Sequence, residues 1–237
     1  MVEFTDIDAY DDLVQSFGPP AHQSFPTAEQ LAFWRPRLPD LLLRYWAEEG
    51  WGSLSKGQYW VCDPDYLRPI LEEVFAGDPD YHADDLVPFG YNALGMIDVF
   101  MGQGRTMSID LMFGTVTWRD QSGGPDEKET PDFMPIYFRI SDGAHHLDWN
   151  DEDMIPLFPW ALENLGELQP GEIYGFVPAY SASGDYPVRN LQRLPLIEHL
   201  VMLANLSAPT LYDYVQPEGG QGGFGTLVPI RKVGQQL

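Results

Sequence analysis

The chain has 237 residues, of which 44% are hydrophobic and 14% aromatic, so it can bury a substantial core and its bulk is not intrinsically disordered. Its 36 acidic and 13 basic residues give a formal net charge of −23, which argues against direct binding of DNA or RNA. The charge fits either simple solubility or attraction of a cationic partner. The single cysteine, Cys62, excludes an intrachain disulfide.

Targeting signals are missing from the sequence. The amino-terminal segment has no basic stretch followed by an apolar one, and no run of about 18 apolar residues occurs in the chain. We therefore expect a cytoplasmic protein without a membrane span.

Helical signals dominate the first third of the chain. Helices are predicted over 6–17, 27–34 and 38–49, the last ending at Gly50. A short aromatic strand is predicted over 58–62. Asp63 and Pro64 then begin another helix, in which apolar residues recur at helical spacing as far as Phe75.

From 86 to 140 the apolar spacing changes to one typical of strands. Strands are predicted over 86–91, 94–100, 106–113, 115–118 and 133–140, with a long polar loop over 119–132. Consecutive strands joined by turns predict an α+β fold in which an antiparallel sheet is flanked by amino-terminal and carboxy-terminal helices.

After Asp142 the spacing is helical again. Helices are predicted over 151–165, broken or redirected at Pro156 and Pro159, and over 195–206. The remaining tail is Gly-rich, although 227–230 could dock on the body. We predict units at 1–142, 143–215 and 216–237, and the lack of a Ser/Gly linker between Gly77 and Gly143 favours a shared compact body.

Motifs for catalysis are not found. The glycines of 219–225 lack the strand and the Lys-Ser/Thr pair of a phosphate-binding loop. Cys62 is expected to be a buried, inert thiol. His146 and Asp148 could share one face of a strand with His145 opposite, giving two metal ligands at best where catalytic zinc needs three. We therefore expect no catalytic residue, no cofactor, no metal and no enzymatic activity.

Two groups of loop acids have no evident task in secondary structure. Such residues usually form a solvated surface, but they are also where a face that binds a cationic partner would lie. The long loop could equally be a tolerated insertion. The candidate partner-binding residues are Asp78, Asp80, Asp84, Asp85, Asp120, Asp126, Glu127, Glu129 and Asp132.

Two parts of the sequence resemble a known family. FGPP at 17–20, LPDLLLRYWAEEGWG at 38–52 and the aromatic strand with its following DPDY look like the GAD-like domain of bacterial immunity proteins. LFPWALENLGELQPGEIYGFVPA at 157–179 and RNLQRLPLIEHLVMLANL at 189–206 are similar to the C-terminal domain that accompanies it. The pattern EIYGFVPA…NLQ…EHL is the most specific element.

The resemblance implies an immunity protein that binds a DNase effector of a type VI secretion system one-to-one and blocks its active site. It implies no catalytic residues. The acidic charge agrees with this role, because a DNase needs a basic groove that an acidic protein can occupy.

A small-molecule sensor is the alternative. In that hypothesis the aromatic side chains of Trp46, Trp51, Tyr59 and Trp60 line a ligand pocket instead of serving only as core.

Overall fold

A computed structural model describes residues 11, 14–15, 18–120, 148–215 and 226–234. The predicted strand at 133–140, nearly all of the loop at 119–132 and most of the helix at 6–17 lie outside these residues. The described chain is a mixed α+β protein built on a large, mostly antiparallel sheet, which confirms the predicted class.

Two short helices lie at the amino-terminal side of the sheet. Strand β1 (Ala21–Ser24) is followed by helix α1 (Ala28–Trp34) and helix α2 (Asp40–Glu48). The side chain of Thr27 accepts a hydrogen bond from the Gln30 amide at 3.2 Å, and the Gln30 side chain accepts one from the Thr27 amide at 2.9 Å. This reciprocal pair satisfies two of the amides left free at a helix start, and it lies where the sequence predicts that the 27–34 helix begins.

The middle of the chain forms most of the sheet. Strands β2 (Trp51–Leu54) and β3 (Tyr59–Val61) precede helix α3 (Pro64–Val74), and β4 (Val87–Asn92), β5 (Ile97–Gly102), β6 (Arg105–Asp110) and β7 (Thr115–Asp120) follow it. From β1 to β7 each strand pairs with the next in antiparallel fashion. The predicted strands at 58–62, 86–91, 94–100, 106–113 and 115–118 are therefore confirmed, with shifted ends.

Two later strands extend the same sheet. Strand β10 (Thr210–Val215) pairs in parallel with β7, and β11 (Thr226–Lys232) pairs with β10 and forms the edge of the nine-stranded sheet. The 227–230 segment, which the sequence left free to dock, is thus the centre of a strand.

The carboxy-terminal region carries its own small sheet. Helix α4 (Leu157–Leu165), strand β8 (Glu172–Phe176), helix α5 (Tyr180–Ser183), strand β9 (Leu191–Pro195) and helix α6 (Leu196–Leu206) lie in this order, and β8 pairs with β9.

The predicted helix at 151–165 was wrong in its first six residues. The carboxylate of Asp151 accepts hydrogen bonds from the amides of Asp153 and Ile155, both at 2.9 Å, which closes a turn instead of starting a helix. The helix begins at Leu157, directly after Pro156, and Asp148 accepts a bond from the Phe158 amide at 2.9 Å.

Within the described residues the hydrophobic core forms two clusters. The larger one joins Leu67 and Ile70 of α3 to Ile97 of β5 and to Leu196 and Leu200 of α6. The smaller one lies where α2 packs on the first strands of the sheet and is centred on Trp46 and Phe89. Residues on both sides of position 142 thus share the larger cluster, while the division into domains stays a prediction.

Candidate functional site

The first group of loop acids lies between α3 and β4. Asp84 and Asp85 are exposed, and the side chain of Asp84 is 90% exposed although it forms an ion pair with Arg68 at 2.8 Å. Asp80 is 63% exposed in its side chain and is held by Arg231 at 2.7 Å. These three carboxylates form a negative surface that a partner could reach.

Asp78 differs from its neighbours because its side chain has no exposed area. The two terminal nitrogens of Arg231, Nη1 and Nη2, donate hydrogen bonds to the Asp78 carboxylate at 2.7 and 2.8 Å, and the Gly234 amide donates a third at 2.9 Å. Burial opposes ionisation of this carboxyl, but the Arg231 hydrogen bonds and the backbone amides outweigh it and lower the pKa to about 2. Asp78 faces Arg231 and not solvent, so it joins β11 to the loop.

The second group of acids is described at one position only. Asp120 is the exposed last residue of β7. Asp126, Glu127, Glu129 and Asp132 lie outside the described residues, as do His145 and His146.

The four aromatic residues of the sensor hypothesis separate into two pairs. Trp46 and Tyr59 are fully buried in the smaller cluster, where the Tyr59 hydroxyl lies 3.3 Å from the Asp98 carboxylate. Trp51 and Trp60 line a cavity of about 560 Å³, within the range of small-molecule sites. The structure therefore brings two of the four to a cavity and places the other two in the core.

We call this cavity the aromatic cavity. The rings of His22 and Tyr91 stack on the Trp60 ring, with centroids 5.8 and 6.0 Å away. The backbone of His22 has a positive φ of 54°, a conformation that few non-glycine residues adopt. Burial raises the pKa of the Cys62 thiol, so this cysteine is protonated and unreactive. The cavity is lined by His22, Ser24, Trp51, Gly52, Trp60, Val61, Cys62, Asp63, Tyr66, Tyr91, Pro170 and Gly171.

The sequence did not reveal a second, smaller cavity of about 250 Å³, which we call the Asp110 cage. Asp110 ends β6, and its buried carboxylate accepts a hydrogen bond from the Phe113 amide at 3.0 Å. Burial raises the pKa of Asp110 to about 6, against the effect of the Phe113 and Met112 amides. The other residues that line it are Phe113, Thr115, Trp149, Asn150, Tyr180, Tyr186 and Leu227.

The described ranges also bear on metal binding and membrane insertion. There, no three His, Cys, Asp or Glu side chains come together in a way that could hold a metal ion. In the same residues no helix is long and apolar enough to cross a membrane.

Comparison with known proteins gives two matches to family models. Residues 8–113 match the GAD-like domain, and residues 136–207 match the C-terminal domain of the type VI secretion immunity protein Tdi1. No curated protein sequence matches the chain.

Among solved structures that are similar, one matches over almost the whole length of this chain. The crystal structure of Atu4351 from Agrobacterium tumefaciens superposes with a TM-score of 0.83 at 23% identity, covering 96% of this chain and 99% of that chain. At this identity the similarity establishes a shared fold.

Proposed function

Since the chain belongs to the GAD-like immunity protein family, we propose that it binds a cognate DNase toxin of a type VI secretion system one-to-one and inhibits it in the cytoplasm of the producing cell. The match of residues 136–207 to the C-terminal domain of immunity protein Tdi1 carries this proposal. The role requires binding alone and no catalytic residue of this chain.

Electrostatics support a nuclease as the partner. A DNase attracts the phosphate backbone with a basic groove, and a protein of net charge −23 can occupy the same groove. Long-range attraction between the two would also accelerate their encounter.

The acidic surface offered to the toxin is proposed to include the loop between α3 and β4. Asp84 and Asp85 are exposed there, beside the partly engaged Asp80. The second proposed group is Asp120 with the acids of the loop that the sequence predicts at 119–132: Asp126, Glu127, Glu129 and Asp132. Loops held by a rigid sheet often carry recognition.

The decisive experiment measures protection and affinity together. The toxin is expressed with the wild type, with a variant carrying Asp126→Ser, Glu127→Ser and Glu129→Ser, or with a variant carrying Asp84→Asn and Asp85→Asn. A control removes three exposed helix acids instead: Asp40→Asn, Glu72→Gln and Glu73→Gln.

We expect the wild type and the helix control to protect cells and to bind the purified nuclease with similar affinity. At least one loop variant should lose both properties while keeping its melting temperature. If the wild type itself neither protects cells nor binds a nuclease encoded beside it, the immunity role is wrong. If all variants behave alike, the contact surface lies elsewhere.

A small-molecule sensor is a second candidate because the aromatic cavity has the volume and the stacked rings of a ligand site. Native mass spectrometry of freshly purified protein tests it directly. A bound compound that is lost in a Tyr66→Ala variant would support the sensor role, because Tyr66 lines the cavity and is 41% exposed. If the measured mass equals that of the polypeptide alone, in protein from cells grown in several media, the result would count against the sensor role.

A further inference from the structure

The Asp110 cage combines a buried acid with several aromatic rings. Phe113 is at its centre, with ring centroids 5.4 Å from Trp149, 5.4 Å from Tyr180 and 5.8 Å from Tyr186. All three contacts are edge-to-face or close to it, with interplanar angles between 62° and 90°. The faces of aromatic rings carry negative electrostatic potential, which attracts cations.

Asp110 adds a full negative charge to this environment. Its residue surface is only 5% exposed, yet it lines the cavity. Among the ion pairs of the described residues, none involves Asp110, in contrast to the buried Asp78 with its arginine. Buried charges are ordinarily paired, so a buried carboxylate that borders a cavity and has no cationic partner among the described residues marks a place where an external cation would be stabilised.

The size of the cage limits the occupant. Its volume of about 250 Å³ lies below the roughly 300–1,000 Å³ of typical small-molecule sites. A single long side chain fits such a space better than a cofactor does. The planar guanidinium of arginine matches both parts of the cage, since it stacks on aromatic faces and pairs with carboxylates.

The surroundings of the cage favour a protein as the source of that side chain. Trp149 is 44% exposed and Leu227 48% exposed at the cage itself. Exposed apolar side chains next to an aromatic pocket are typical of a protein interface, in which a central anchor is surrounded by apolar contacts.

We propose that the Asp110 cage receives an arginine side chain of the protein partner, with β11 as the adjoining apolar contact. The proposal rests on the immunity role for the identity of the partner. It adds a specific anchor to the acidic loops, because a desolvated pair at the cage governs how long the complex lasts, whereas exposed charges govern how fast it forms.

The alternative is that Asp110 only closes the turn between β6 and β7. The substitution Asp110→Asn separates the two, because the amide oxygen can still accept the Phe113 hydrogen bond while the charge is lost. We expect Asp110→Asn to fold normally but to bind the toxin about 30-fold more weakly or worse, mainly through faster dissociation. Trp149→Ala should weaken binding about tenfold or more, and Asp40→Asn, an exposed acid on α2, should stay within about threefold.

A second measurement uses the immunity protein alone. N-acetyl-arginine amide is titrated into it while the indole N–H signal of Trp149 is followed by NMR, with N-acetyl-citrulline amide as the neutral probe of similar shape. The arginine probe should shift this signal in the wild type and in Asp40→Asn but not in Asp110→Asn, and the citrulline probe should not shift it.

The two experiments distinguish failure of the anchor from failure of the immunity role. If the wild type protects cells and neither Asp110→Asn nor Trp149→Ala changes the affinity for the toxin, the anchor is overturned and the immunity role stands. If no nuclease binds the wild type, the NMR titration still tests whether the cage binds a cation. Equal shifts with the arginine and citrulline probes, or no shift with either, would overturn a cation-binding site.

Discussion

Removing the guanidinium of Arg231 tests how strongly the Asp78 contact holds β11 to the rest of the molecule. Arg231→Met keeps an unbranched side chain but leaves the Asp78 carboxylate, which has no exposed area, with backbone amides alone. The pKa of Asp78 falls from 3.8 to about 2 in the folded protein. At about 1.36 kcal/mol per pKa unit, its ionised form is favoured by about 2.5 kcal/mol.

Breaking a buried ion pair usually costs about 3–5 kcal/mol, because the remaining charge is left without its counter-ion. Since the amides of Asp80, Tyr81 and Gly234 stay in place, we expect the lower end of that range, about 3 kcal/mol, for Arg231→Met at pH 7.

Urea unfolding at a series of pH values measures this effect. Because the folded pKa of Asp78 is depressed, its stabilisation is complete above its unfolded pKa and is lost as the pH falls from about 4 towards 2. In Arg231→Met the Asp78 pKa should rise, so this acid-dependent part should shrink. Arg44→Met is the control, since Arg44 pairs with Glu48 on the surface and should contribute about 0.5 kcal/mol. A loss below about 1 kcal/mol for Arg231→Met, with an unchanged acid profile, would refute the reasoning.

Three other predictions concern burial and charge. Asp110→Asn should stabilise the protein by up to about 3 kcal/mol at pH 7. The pKa of Asp110 in the folded protein is about 6, so the stability of the wild type falls as the pH rises from about 4 to 6, and the asparagine variant avoids this loss. A gain in stability that persists at pH 4 would contradict this. Trp46→Ala should cost about 3–5 kcal/mol in urea unfolding, because the ring is fully buried, whereas Phe33→Ala, at a site 58% exposed, should cost far less; equal costs would be inconsistent with the observed burial. Association with the toxin, followed by stopped flow, should slow steeply as salt is raised, and a rate that does not change would exclude charge steering.

Local signals predicted helices α1 to α3 and strands β3 to β7, but not the short strands β1 and β2. The Thr27–Gln30 pair and the Asp63 cap both mark helix starts that the structure contains, because capping depends on residues close in sequence. Strands β4 to β7 followed from alternation and Gly-containing turns, with ends shifted by up to three residues.

Long-range pairing accounts for most of what the sequence did not predict. Strand β10 looks like a short tail after α6, and only its parallel contact with β7 makes it part of the sheet. No conformation was predicted for strand β8, which lies in the motif EIYGFVPA, although Ile173, Tyr174 and Phe176 are all buried. Asp151 was expected at a helix start, since no local pattern shows that its carboxylate also accepts a bond from the distant Val188 amide at 3.1 Å.

The candidate sites were predictable by residue type but not by position. The sequence does not distinguish an aromatic residue that fills the core, as Trp46 does, from one that lines a cavity, as Trp60 does. Likewise Asp78 and Asp84 belong to one acidic stretch, but only the structure separates the buried ion pair from the exposed charge. The Asp110 cage joins β6 to residues near 149, 180 and 227, and no spacing in the sequence indicates that they meet.

The parallel contact between β7 and β10 has a consequence for how the chain reaches its native state. Each strand from β2 to β7 can pair with the strand made before it, but the other edge of β7 pairs with β10, which is made only after the second family region has been synthesised. Contacts between such distant segments form slowly, because the chain between β7 and β10 loses conformational entropy before the strand pairing can stabilise it. Until then β7 presents an unpaired edge, and unpaired edges recruit strands of other chains. We therefore expect the nascent protein to depend on chaperones or on low expression temperature for its yield, more than its final stability would suggest.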